Sequence, residues 1–141
     1  MNITGDTSEA SVFSKDCPSR QVLLDVTGRW GILVLAALHQ GESRFSVLHR
    51  RIEGISEKML SHTLQLLRRD GLVHRHVADD APPQVTYSLS GLGRTVAATA
   101  VDLVELLEGC VEQFERARHA YEECTPRTEA HLPSGARHTW A

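Results

Sequence analysis

The sequence predicts a mainly α fold carrying one small β-hairpin, an α+β arrangement. Three patterns predict it: a two-faced helix over Gly54–Asp70, a shorter helix just upstream of it, and two strand-like runs just downstream. In GISEKMLSHTLQLLRRD, Leu60, Leu64 and Leu67 recur at the spacing that keeps them on one side of a 3.6-residue turn. Lys58, Ser61, His62, Gln65, Arg68 and Arg69 fall largely on the other side. The apolar side is expected to dock on a core and the polar side to read a partner, with Met59 and Leu60 as packing residues. Ser56 suits the N-cap, where its hydroxyl accepts from an unpaired backbone N–H of the first turn. Gly71 suits the left-handed position that closes the helix.

The upstream helix is expected over Phe45–Ile52, with Phe45, Leu48 and Ile52 as its apolar stripe. Glu53-Gly54-Ile55 is the tight, glycine-containing link that lets two helices cross steeply. Downstream, Leu72–Val77 and Gln84–Leu89 carry β-branched and aromatic residues, and Ala78–Pro83 between them has turn composition. Helix, turn, helix and hairpin make a winged helix-turn-helix. Before it, Pro18 opens a first helix to about Val26, ended by Gly28, and Trp30–His39 is apolar on nearly every side, as a central core helix is. After it, Ser90 caps a long helix to about Glu123, with Val96, Ala100, Leu103, Val104, Leu107, Val111, Phe114 and Tyr121 as its apolar positions. The organisation expected is a loose arm at 1–16, one winged-helix domain with its C-terminal helix at 17–123, and a loose tail at 124–141.

Charge points to a polyanion. Between Arg44 and His76 stand seven Lys or Arg against three acids, a local +4 that leaves −7 on the rest of a chain whose formal total is −3. A positive module in an acidic chain is what local phosphate contact needs, because counterion release depends on cations at the interface. Other classes fit poorly. At 141 residues the chain suits one core. No run approaches the roughly 18 apolar residues of a membrane span, and the polar start lacks a signal peptide's apolar core, so a cytoplasmic location is expected. Three well-separated cysteines form no disulfide framework. His74-x-His76 lacks the further ligands of a structural zinc site, and neither a phosphate-binding glycine loop nor a nucleophile elbow is present. No enzyme, cofactor or metal is expected.

The last helix is too long for so small a domain to cover. Left in water, its stripe would be a large apolar patch of the kind soluble monomers avoid. Pairing with the first and last helices of a second copy, through Val22, Leu103, Leu107, Val111 and Phe114, would bury it about a two-fold axis. The alternative folds the helix back on its own domain. A homodimer also places two reading helices on half-sites about one turn of DNA (~34–36 Å) apart.

The motifs Cys17-Pro18, Gly28-Arg29-Trp30, Gly41-Glu42-Ser43-Arg44-Phe45-Ser46-Val47-Leu48, Gly54-Ile55-Ser56-Glu57-Lys58-Met59-Leu60, Asp70-Gly71-Leu72-Val73-His74-Arg75, Pro82-Pro83-Gln84-Val85-Thr86-Tyr87-Ser88-Leu89 and Gly91-Leu92-Gly93 occur in an order that resembles the HxlR-type winged-helix transcriptional regulators of bacteria. The resemblance runs from about Cys17 to Glu123. It implies a homodimer built on the first and last helices, a recognition helix in the major groove of double-stranded operator DNA, and wings near the phosphate backbone or minor groove. It also implies repression or activation of nearby operons. The wing departs from the family pattern. Gln84 and Thr86 stand where a base and an acid are common, and the tip carries Asp79 and Asp80.

The DNA-facing candidates are therefore Arg44, Ser56, Lys58, Ser61, His62, Gln65, Arg68, Arg69 and Gln84, with Arg44, Lys58, Arg68 and Arg69 carrying more of the phosphate affinity than the wing. Gln65 suits an adenine edge and Arg68 or Arg69 a guanine or phosphate. Cys17 has two readings. Some regulators resembling this chain carry an oxidant-sensing thiol there, and a helix opening at Pro18 with Lys15 and Arg20 nearby favours a thiolate; otherwise it is a small packing residue. Two rival functions are a winged helix that binds protein, supported by the acidic wing, and a regulator with a small aromatic or quinone-like effector in a cleft near Trp30 and Phe114.

Overall fold

The computed structural model describes residues 11–125, in the order α1 (Pro18–Thr27), α2 (Gly31–His39), β1 (Ser43–Arg44), α3 (Phe45–Arg51), α4 (Glu57–Arg69), β2 (Val73–Ala78), β3 (Gln84–Leu89), α5 (Gly91–Gly109) and α6 (Val111–Cys124). These residues form two compact units that divide between Glu105 and Leu106. The expected loose arm and tail lie mostly outside the described residues.

The first unit is built on α2. Val34, Leu35, Ala37 and Leu38 are buried, and only Leu33 among its large apolar residues is well exposed. Against them pack Leu48 of α3, Ile52 and Ile55 of the following turn, and Leu60, Leu64 and Leu67 of α4. The three α4 leucines are 0%, 1% and 0% exposed, so the helical spacing read from the sequence is the buried stripe. Leu60 packs as expected. Met59 does not: it is 40% exposed, because a residue one step before Leu60 sits about 100° round the helix, on the solvent side. Ser56 Oγ accepts from the Met59 N–H at 3.1 Å, and Gly71 closes the helix at φ +77°.

The hairpin gains a third strand. β2 pairs antiparallel with β3 from Val73↔Leu89 to Ala78↔Gln84, and β1 pairs with the other edge of β3 through Ser43↔Tyr87 and Arg44↔Thr86. Two residues are too few to show a period-2 pattern, so β1 left no trace in the sequence. The root of the wing is clamped. Ser90 N–H donates to the Leu72 carbonyl (2.9 Å), Ser90 Oγ donates to the Gly71 carbonyl (2.6 Å), and the Gly93 N–H donates to Ser90 Oγ (2.9 Å). A β-carbon on Gly93 would stand 1.9 Å from the Leu72 carbonyl oxygen, so only glycine lets α5 approach this closely.

The single helix expected from Ser90 to Glu123 is two helices. It breaks at Cys110 (φ −111°, ψ 12°), directly after Gly109, where the ladder tightens to a Cys110 N–H bond to the Leu107 carbonyl. Glycine is the poorest helix former after proline, and the added β-carbon at Gly109 would meet nothing within 4 Å, so no packing opposes the break.

The burial pattern gives a stability test. Leu64→Ala is expected to lower the unfolding free energy by about 2–5 kcal/mol and Ser56→Ala by about 1 kcal/mol. Urea titrations followed by circular dichroism check both, and a Leu64→Ala loss no larger than the Ser56→Ala loss would contradict the placement of Leu64 in the core.

Candidate nucleic-acid interface

The face of α4 opposite its leucines is open to solvent. Lys58, Ser61, His62, Gln65, Arg68 and Arg69 are all exposed, on a helix held from behind by the core. Helical spacing sorts them into two stripes. Lys58, His62 and Gln65 run along one; Ser61, Gln65 and Arg68 run along the other. Ser56 is spent as the cap, and its exposed position leaves only its hydroxyl proton for a partner. Arg44 is exposed on β1, at the start of α3, while Gln84 is half-buried at the start of β3.

The second stripe borders a groove against the wing. One cavity of about 490 Å³ is lined by Gln65, Arg68, Arg69, Val73, His74 and Arg75. A neighbouring one of about 300 Å³ shares Gln65, Arg68 and Arg75 and adds Ser61, Leu64 and Tyr87. Arg75 is the residue the sequence reading passed over. It counts among the seven cations of the basic module and closes the Asp70–Arg75 motif, and the alternation Val73, Arg75, Val77 on β2 puts it on the hairpin face that also carries the buried Val73.

The basic residues of the module are not equivalent. Arg51 is engaged internally, donating to the Gln40 side chain and to the Ala37 carbonyl at 3.5 Å, where it satisfies the end of α2. Arg69 is also held: its Nη2 donates to Asp25 Oδ2 of α1 at 3.1 Å, and its Nε lies 3.8 Å from Asp70 Oδ1. Among the described residues, Arg44, Arg50, Lys58, Arg68 and Arg75 have no acid within salt-bridge distance.

Asp25 and Asp70 form a close acid pair. Their side chains are only 6% and 7% exposed, and Asp70 Oδ2 is a buried oxygen with no hydrogen-bond donor. Burial works to raise both pKa values. For Asp25 it is outweighed by hydrogen bonds from Asp70 and from the Gln21 amide (3.0 Å) and by the Arg69 charge, so its carboxyl lies below the ordinary value. For Asp70, burial, the hydrogen bond to Asp25 and the Asp25 charge overcome Arg69 and push the pKa up to about 6. The pair therefore holds one proton on Asp70 in mild acid and two charges above it.

The remaining candidates are separate. Cys17 is the N-cap residue of α1 and is 6% exposed, with Pro18 in the first turn; all three cysteines are free thiols. Val22 is half-buried against the core with Val26 and Trp30, while Leu23 and Leu24 of the same helix are 44% and 55% exposed. Arg29 stacks its guanidinium 4.9 Å from the Trp30 ring centre. Leu103 is exposed near the end of the first unit, and Leu107, Val111 and Phe114 are exposed in the second. Among the described residues no three potential metal ligands converge, and no single helix is long and apolar enough to cross a membrane.

A helix-turn-helix with its second helix exposed on one face, followed by a β-hairpin wing that pairs with a strand before the motif, defines a winged-helix regulator. Residues 25–115 match the HxlR-like helix-turn-helix family. Over 108 residues the chain is 44% identical to YtfH of Escherichia coli, described as an uncharacterised HTH-type transcriptional regulator, covering 77% of this chain and 86% of that one. The solved structure of ytfH from Salmonella typhimurium, a transcriptional regulator by its description, is 43% identical with a TM-score of 0.74 over 79% of this chain and 99% of that one. The redox regulator HypR in its oxidised form is 33% identical with a TM-score of 0.61, over 66% of this chain and 96% of that one. The chain belongs to the HxlR-like helix-turn-helix family of transcriptional regulators.

The acid pair sets a pH dependence. Between the ordinary carboxyl value of 3.8 and about 6, the folded chain keeps a proton on Asp70 that the unfolded chain has lost, so this group's contribution to stability falls as pH rises through the window and is constant above it. Asp25, with its lowered pKa, acts in the opposite sense and only below that window. Asp70→Asn carries no charge at any pH and can still donate to Asp25. Its melting temperature relative to wild type is expected to rise from about pH 4 to about pH 6 and then stay level. A difference that does not change with pH would show that Asp70 is ionised throughout.

Proposed function

We propose that this protein is a homodimeric regulator that binds double-stranded operator DNA through α4, in the bacterial cytoplasm, and controls neighbouring genes. One observation carries the reading: α4 has its leucine stripe sealed in the core and an opposite face of Lys58, Ser61, His62, Gln65 and Arg68 exposed without acid partners. Such a helix is rigid and unsatisfied at once, as a major-groove reader must be. Lys58 and Arg44 serve phosphates, and Ser61, His62 and Gln65 face base edges. Arg69, held by Asp25, orients the helix end more than it meets DNA. Catalysis has no part in this reading.

Self-association is supported by apolar exposure. Leu23 and Leu24 on α1, Leu103 near the end of the first unit, and Leu106, Leu107, Val111 and Phe114 in the second are all more than 40% exposed, and a second copy would cover them. An oxidant effector acting at Cys17 is a second reading, supported by the likeness to HypR. The burial of Cys17 weighs for packing instead, since enclosed thiols react slowly.

Fluorescence anisotropy with the intergenic DNA upstream of the protein's own gene tests both. Tight binding is expected that weakens steeply with salt, by roughly 10³-fold or more between about 50 and about 200 mM if six or more phosphates are contacted. Loss of binding on oxidation that Cys17→Ser prevents would assign sensing to Cys17, and binding indifferent to oxidant would make it structural. An absence of salt-sensitive binding would favour the protein-interaction reading.

A further inference from the structure

The wing tip of this chain carries no Lys or Arg to hold a phosphate. Asp79 and Asp80 are exposed there, beside Pro82 and Pro83, and the tip segment 79–83 contains no basic residue. The hairpin's one Lys or Arg, Arg75, stands nearer its root. On β2 the inner face reads Val73, Arg75, Val77: Val73 is buried opposite Leu89, and Arg75 lies opposite Tyr87, where the face leaves the core. Across the groove stands the α4 stripe of Ser61, Gln65 and Arg68. Arg68 and Arg75 therefore line both adjoining cavities from opposite walls, one from the helix and one from the wing.

Electrostatics makes this arrangement unusual. No acid lines either cavity, and the acids nearest to hand, Asp25 and Asp70, are already committed to Arg69. Among the described residues, neither Arg68 nor Arg75 donates a side-chain hydrogen bond or meets a carboxylate. Arg68 and Arg75 share both cavities, with Arg69 bordering the larger one, and guanidinium groups so placed repel each other unless an anion enters between them. A phosphodiester matches the site, because each planar fork can give parallel N–H bonds to phosphate oxygens. Ser61 and Gln65 offer further polar groups on the same wall.

We propose that the groove between α4 and the root of the wing is a phosphate clamp, in which Arg68 and Arg75 grip one DNA backbone phosphate from two sides. The clamp rests on the operator-binding reading and takes over the role that the acidic tip cannot fill. It also separates two jobs on α4: Arg68 at the helix end anchors the backbone, while Ser61, His62 and Gln65 nearer its start face base edges. Anchoring of this kind is indifferent to base sequence.

The test is an anisotropy titration of the full chain against its own upstream DNA and against unrelated duplex at several salt concentrations. Arg75→Ala is expected to weaken both duplexes alike, by about ten-fold at low salt. It is also expected to shrink the loss of affinity between about 50 and about 200 mM salt by about three-fold, the share of one released counterion. Arg68→Ala should do the same, and the double variant should lose little more than either alone, since both residues hold one phosphate. Arg75→Lys should keep the salt slope while losing part of the affinity. Asp79→Asn with Asp80→Asn should bind no worse than wild type. Wild-type affinity and slope in Arg75→Ala, with circular dichroism showing it folded, would overturn the clamp and leave the operator reading standing. A wild-type chain without salt-sensitive binding would overturn the operator reading itself.

Discussion

The leucine stripe of α4 is the constraint on which the rest depends. Leu60, Leu64 and Leu67 are sealed against α2 and the hairpin root, and each side chain buried this fully contributes about 1.5–3 kcal/mol. A helix fastened along one side cannot roll without pulling those leucines into water. The positions of Lys58, Ser61, His62 and Gln65 are thus set by packing behind them and not by anything they touch. Preorganisation of this kind matters for recognition, because side chains on a fixed helix lose little further freedom on binding.

The wing inherits the same rigidity through one junction. Gly71 and Leu72 end α4 and lead into β2, while Ser90 and Gly93 end β3 and open α5. Ser90 is bonded to both Gly71 and Leu72, and Gly93 abuts the Leu72 carbonyl. Four elements meet at these residues, so the root of the wing and the end of α4 move as one body. A groove whose walls come from those two elements keeps its width, and this is what a two-sided grip on a phosphate requires.

The fold was legible where side-chain periodicity reports burial. The α4 stripe, the caps at Ser56 and Gly71, and the full extent of β3 follow from local chemistry that acts within a turn or a strand. Other features depend on contacts distant in the chain. β1 is two residues long and exists because β3 offers an edge; Met59 and Leu60 look alike in a list of apolar residues, and only the helical phase separates them. Of the site, the exposed face of α4 could be read from spacing, but charge counting treated seven cations as one module. The structure divides them. Arg51 and Arg69 serve α2 and α1, and Arg75, which was given no role of its own, stands across the groove from Arg68.

That division explains why the end of α4 tolerates an acid pair. Asp25 and Asp70 lie in or just beyond the last turns of α1 and α4, where the helix dipole disfavours a negative charge, and both are nearly enclosed. Two carboxylates so placed would repel, and breaking a buried charge set is expensive when one partner is left alone. Arg69 lies against both, and in mild acid a proton on Asp70 relieves what it does not neutralise. The effect on the site is indirect: Arg69 also borders the larger cavity but is tied to Asp25, so Arg68 is the α4 cation there without an acid partner. An arginine pair read from the sequence as two equivalent DNA contacts is therefore split by one residue of helical rotation, one member joining α4 to the first helix and the other open to the groove.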